Sequence, residues 1–172
     1  MSKLLILGSI AFDQIETPFG KSNSIMGGSA NYIAFAAAQF EIPAAVVSIV
    51  GDDYPQEYLH LLTERRIDVS GIEIVHGGKT LFWSGKYHND MNQRDTLDTQ
   101  LNVINDFKPV VPEAFRDAEV LLLGNLHPTL QMDVLNQMTQ RPKLVVMDTM
   151  NYWMNHTWDL LMEVIGRVDV LT

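Results

Sequence analysis

Gly27-Gly28-Ser29-Ala30-Asn31, continued through Tyr32 to Phe40 and followed after Pro43 by Ala44-Ala45-Val46-Val47-Ser48-Ile49-Val50, is the stretch that decides the fold. Ser29 to Phe40 is rich in alanine and apolar on several sides, which suits a helix packed closely between a sheet and its neighbours. The two glycines permit a sharp entry into that helix. Pro43 separates it from Ala44 to Val50, a strand that stops at Gly51-Asp52-Asp53. A helix leading into a buried strand is half of a crossover unit, so a preceding strand should lie upstream.

Leu4-Leu5-Ile6-Leu7 supplies it: an uninterrupted apolar run ended by Gly8-Ser9. Downstream, Pro55 to Arg66 reads as a helix with Tyr58, Leu59 and Leu62 facing inward, and with Asp53 or Tyr54 at its boundary. Val120 to Leu123 and Leu144 to Met147 are two further strands, separated by a helix over Pro128 to Thr139 in which Leu130, Val134, Leu135 and Met138 recur at helical spacing. A last helix carries Trp158, Leu161, Met162 and Ile165 and leads into strand-like Val168 to Leu171. The repeated order of strand, helix and strand implies parallel pairing with helices covering the sheet, an α/β sandwich.

The middle of the chain follows another pattern. Ile72 to Val75 and Thr80 to Tyr87 read as strands, but Leu81, Trp83, Gly85 and Tyr87 alternate with Phe82, Ser84 and Lys86 in a less apolar way. Asn89 to Asn102 is polar with no core-facing period. Together with Gln14 to Ser24 these pieces form either a small projecting sheet, a lid, or an ordinary edge hairpin with a surface loop.

At 172 residues and 47% hydrophobic composition the chain suits one domain with a real core, and its apolar runs are too short for a membrane span. The first apolar run is also too short for a signal-peptide core. Cysteine is absent, which excludes disulfides and thiolate ligands and points to the cytoplasm. A formal net charge of −9 disfavours a nucleic-acid partner. The five histidines show no metal-site spacing. A final strand that reaches the last residue leaves a sheet edge or face uncovered, which suggests truncation or a missing partner.

Candidate recognition residues gather where strands end. Gly27-Gly28-Ser29-Ala30-Asn31 opens a helix, where free first-turn amides can donate to a hydroxyl or phosphate oxygen and Asn31 can both donate and accept. A purely structural glycine turn is the other reading. Asp13, just after the first strand, could accept two hydroxyl hydrogen bonds or could cap a local turn. Asp148 and Asn151 follow the strand at Leu144 to Met147, either near phosphates or a hydrated metal or as a strand-to-helix connector. Asn125 and His127 follow Val120 to Leu123, with His127 placed to cap the helix that begins at Pro128. Asp52 and Asp53 read as a turn and helix cap, and Trp83 as a strand aromatic that packs or covers a substrate. Neither the dinucleotide fingerprint nor a P-loop is present.

Taken in this order, the first strand with Asp13, the helix entrance from Gly27 to Asn31, Gly51-Asp52, Thr80 to Tyr87 and Asp148-Thr149-Met150-Asn151-Tyr152-Trp153 resemble the amino-terminal region of the ribokinase-like, or PfkB-type, carbohydrate kinases. The resemblance spans essentially all of residues 1–172. It implies a three-layer sandwich with a small β lid formed by segments 14–24 and 72–100, and a carboxyl-terminal half that this sequence does not contain. It further implies Asp13, Gly27, Gly28 and Asn31 in recognition of substrate hydroxyls, with Trp83, Asn125, Asp148 and Asn151 in the lid or cleft.

Members of the family transfer the ATP γ-phosphate to an alcohol with magnesium, so ATP and Mg2+ are expected for the complete protein, with a sugar, nucleoside or polyol as acceptor. The family's catalytic base lies in the carboxyl-terminal half, and no residue here is assigned that role. Ala11 stands where sugar kinases often have a polar residue, and Ser29 where some members are basic. Hexose, nucleoside or another polyol is thereby left open. The other expectations are a noncatalytic sugar or nucleotide sensor of the same fold, or an oligomerisation domain that pairs through the lid as a homodimer.

Overall fold

The computed structural model describes residues 3–172. Six strands, β1 (Leu4–Leu7), β5 (Ala44–Gly51), β6 (Ile67–Val75), β9 (Val120–Leu123), β10 (Leu144–Met147) and β11 (Val170–Leu171), form one parallel sheet in the order β11-β10-β9-β1-β5-β6. The smaller sheet holds β2 (Ala11–Thr17), β3 (Gly20–Lys21), β7 (Leu81–Tyr87) and β8 (Arg94–Gln100) in the order β3-β2-β7-β8, with β4 (Ile25–Gly27) also paired to β2.

Alternation along the central strands explains the three layers. Leu4 and Ile6 of β1 pack with Ala30, Ala34 and Ala37 of α1 (Ser29–Ala38) and with Leu59 and Leu62 of α2 (Gln56–Thr63). Leu5 and Leu7 face the other way, onto Val134 and Leu135 of α3 (Pro128–Gln137) and Leu161 and Val164 of α5 (Trp158–Ile165). Each central strand must therefore be apolar on both faces, which is why Leu-Leu-Ile-Leu and Val-Leu-Leu-Leu show no alternation in hydrophobicity. The alanines of α1 let that helix sit close to the sheet. A short α4 (Asn151–His156), where a connector was expected, buries none of its residues.

The boundary between the sheets differs from the expected one. Residues 72–75, expected in the lid, belong to β6, which pairs with β5 at the edge of the large sheet. Only one neighbour covers an edge strand, so Glu73 and Ile74 remain exposed and the segment reads as half polar. The smaller sheet runs instead through 11–27 and 81–100, and its first strand begins at Ala11, three residues before the expected start of the lid segment. Every residue of β8 is exposed, so no core-facing period could mark it.

The order of strands reverses between β1 and β9. From β1 the chain adds β5 and β6 on one side, then returns to place β9, β10 and β11 on the other. Open α/β sheets bind ligands in the crevice outside the carboxyl ends of strands at such a point. Gly8-Ser9, Gly124 and the entrance of α1 meet there, and β2 of the smaller sheet follows directly after β1.

Candidate functional site

The entrance of α1 is built around Gly28, which has φ 91° and ψ 144°. A Cβ at this position would lie 2.3 Å from the Ser9 carbonyl oxygen, so glycine is required both by the backbone angle and by the close approach. Ser9 then satisfies the helix start: Ser29 N donates to Ser9 Oγ at 3.3 Å, Ala30 N donates to Ser9 O at 3.0 Å, and Ser9 N donates back to Ser29 Oγ at 3.3 Å. Two of the first-turn amides expected to be free are thus already taken by Ser9. The other candidates at this turn are side chains.

Asp13 is one of these. It lies on β2, half-buried, and its carboxylate rests on Gly27, where a Cβ would come within 2.2 Å of Oδ2. Gly27 is buried at the end of β4, so the bare Cα is what makes room for the acid. Asp13 has no hydrogen-bond or ion-pair partner among the described residues. Burial holds its carboxyl above the usual carboxylate range. A desolvated, unpaired carboxylate at a strand-end crevice destabilises the fold and marks a place where a ligand can supply the missing donors.

Asn31, in the first turn of α1, is 2% exposed. Its Nδ2 donates to Gly27 O at 2.6 Å and to the Tyr54 hydroxyl at 3.2 Å, while Oδ1 is enclosed and without a partner. Gly27 therefore links two candidate residues: its Cα carries the Asp13 carboxylate and its carbonyl fixes the Asn31 amide. Trp83 pairs in register with Asp13 across the parallel β2/β7 ladder, which puts both side chains on one face of the lid. Its ring lies along the strand over Gly85, with Nε1 donating to Thr96 Oγ1 at 3.3 Å and the Arg94 guanidinium 5.6 Å from the ring centre.

The remaining candidates form a second group at the ends of β9 and β10. Burial also raises the Asp148 carboxyl, opposed by a hydrogen bond from the Thr149 backbone. Asn125 Oδ1 accepts from Trp153 Nε1 at 2.9 Å, and Trp153 packs edge-on against His127, which caps α3 by accepting from Thr129 N at 3.1 Å. Asn151 is exposed at the start of α4.

Sequence reasoning missed Gln131, which is fully buried and sends Nε2 to Gly124 O at 3.0 Å and Asp148 O at 3.1 Å, tying the two strand ends together. Trp153 stood out in the sequence only as part of the Asp148 to Trp153 stretch, and Tyr54 only as a helix boundary. Asp52 and Asp53 do not cap α2, whose first boundary is Pro55. Asp52 accepts from Gly77 N at 2.8 Å, and Asp53 accepts from both Thr80 N at 2.8 Å and Thr80 Oγ1 at 2.7 Å, so the turn anchors the segment leading into β7.

No group of three or more histidine or acidic side chains converges on a common point among the described residues, so no side chain of this chain is assigned to magnesium. With the Ser29 and Ala30 amides already paired, these residues show no phosphate cradle, and no step at the transferring phosphate is derived from them. No described helix is long and apolar enough to cross a membrane.

A parallel sheet whose strand order reverses, helices on both faces, and a small second sheet beside a Gly-Gly helix entrance define the ribokinase-like fold. The pfkB family of carbohydrate kinases matches residues 1–172, and the chain belongs to that family. It is 28% identical to a cytidine kinase of Thermococcus kodakarensis over 99% of its own length and 61% of that protein's. Among solved structures it resembles a Methanocaldococcus jannaschii nucleoside kinase (TM-score 0.78, 17% identity, 99% of this chain and 60% of that one). It also resembles a Burkholderia thailandensis nucleoside kinase in complex with inosine (TM-score 0.76, 16% identity, 98% of this chain and 59% of that one). The chain thus spans about 60% of the length of these relatives.

Proposed function

We propose that residues 1–172 form the acceptor-binding part of a cytoplasmic kinase that moves the ATP γ-phosphate, with magnesium, onto a hydroxyl of a nucleoside. The observation that carries this reading is the Asp13 carboxylate, half-buried and unpaired on the bare Cα of Gly27 beside the buried amide of Asn31. A carboxylate can accept from two neighbouring hydroxyls, the arrangement a sugar ring offers. Trp83 on the same lid face favours a nucleoside over a free sugar, because a planar base gains by stacking on an indole.

In this reading the general base and the ATP-binding groups lie in the part of the relatives' length that this chain does not span. The enclosed Asn31 Oδ1 is the group left to accept from the substrate, and closure of the small sheet over the acceptor would exclude water from the transfer. The complete kinase, assayed for ATP-dependent product against nucleosides, free pentoses, hexoses and polyols, should show its highest kcat/KM with a nucleoside. A free sugar or polyol as the best substrate would overturn the nucleoside assignment. ATP-independent binding with no turnover of any acceptor would replace the kinase with a sensor.

Pairing of two copies through the lid belongs to the same proposal, since β8 is an exposed edge strand with Leu97 uncovered. A monomeric mass for the complete kinase in solution would remove it.

A further inference from the structure

The turn after β5 ends in Tyr54, an aromatic only 3% exposed that touches two elements of the candidate site. Its hydroxyl accepts from Asn31 Nδ2 at 3.2 Å. Its ring packs against Phe12, centre to centre 5.5 Å, and Phe12 directly precedes Asp13 on β2. Tyr58 of α2 backs it edge-on at 5.6 Å. One side chain therefore touches the helix that carries Asn31 and the lid strand that carries Asp13. We infer that Tyr54 is a positioning residue of the acceptor site, one that locks the Asn31 amide and sets the lid strand carrying Asp13 against it.

The chemistry of the amide shows why the lock matters. A carbonyl oxygen, Gly27 O, lies 2.6 Å from one end of the Asn31 side chain, and only the amino end can meet it. That fixes which way the amide faces. The second hydrogen of the same amino group goes to Tyr54, so both donors are used and Oδ1 is the group left to accept. Without the hydroxyl one hydrogen bond would hold the amide, and its terminal torsion, which has broad minima, could rock. Burial pushes the Tyr54 hydroxyl up to about 12, so it stays neutral and remains an acceptor for Asn31 at any working pH. Asp53 of the same turn grips Thr80 at the root of β7, so this turn also braces the lid's other main strand.

The inference rests on the acceptor-site reading above, and the test separates the two. In the complete kinase, Tyr54→Phe keeps the ring packing and deletes one hydrogen bond, worth about 0.7–1.4 kcal/mol, or roughly three- to tenfold in binding. The expected result is a three- to tenfold rise in KM for the acceptor, with kcat and the KM for ATP within about twofold of wild type, and no further rise when the change is added to Asn31→Ala. An unchanged acceptor KM, an equal change in the ATP KM, or the same factor in the Asn31→Ala background would overturn the positioning role. If Asn31→Ala and Asp13→Ala themselves leave the acceptor KM unchanged, the acceptor-site reading falls, and the role of Tyr54 falls with it.

Discussion

Asp13→Ala in the complete kinase should lower kcat/KM for the acceptor by about two to four orders of magnitude while the KM for ATP stays within about twofold. A hydrogen bond to a charged group contributes about 1.5–3 kcal/mol, and a carboxylate holding two hydroxyls loses both at once. At about 1.4 kcal/mol per tenfold, that loss gives the stated range. The same residue should act against the fold. Because burial raises the carboxyl in the folded state, ionised Asp13 is less favourable there than in the unfolded chain. The sign follows: Asp13 is least unfavourable to folding below the ordinary carboxylate range, and its penalty sets in as pH rises through that range and the raised folded value. Asp13→Asn should therefore raise the melting temperature at neutral pH, with the gain shrinking in acid, while acceptor use falls. A variant that loses activity with no gain in stability at neutral pH would contradict the picture of a desolvated, unpaired carboxylate.

Gly28→Ala should produce the largest loss of stability of any single methyl addition at the site. The new Cβ would lie 2.3 Å from Ser9 O, which is backbone, and the residue would be held at φ 91°. Positive-φ strain of about 1–3 kcal/mol and overpacking of about 1–3 kcal/mol add to a destabilisation on the order of 2–6 kcal/mol. For a chain of this size that is a fall in melting temperature on the order of 10 °C, measured by thermal unfolding. Ser9 could yield only by giving up its bonds to Ser29 and Ala30, so the helix entrance would loosen with it. A melting temperature within about 2 °C of wild type would show that the turn can relax and that the glycine there is not required.

Much of the large sheet was legible because its central strands are buried on both faces. Leu4 to Leu7, Ala44 to Val50, Val120 to Leu123 and Leu144 to Met147 stand out as unbroken apolar runs, and each became a strand. Legibility failed where burial is partial. β6 sits at an edge, so its mixed pattern resembled a lid strand, and β8 and α4 bury nothing on which a periodicity could be read.

The site divides in the same way. Gly27, Gly28 and Asn31 lie within five residues of one another, and a local turn chemistry connects them. Ser9, Tyr54, Gln131 and Trp153 act through partners 17 to 28 residues distant, and only the folded chain brings those partners into reach. Asp53 looked like a cap because it precedes a helix, yet Thr80 offers its carboxylate two donors at once, and that competing pair prevails.

The most direct measurement is a crystal structure of the complete kinase with its acceptor bound. The account predicts acceptor hydroxyls within hydrogen-bonding distance of the Asp13 carboxylate, Asn31 Oδ1 taking a bond from the ligand, and the lid closed above them. An acceptor bound elsewhere, with the Asp13 carboxylate and Asn31 Oδ1 in the same unpaired state as in this structure, would contradict it.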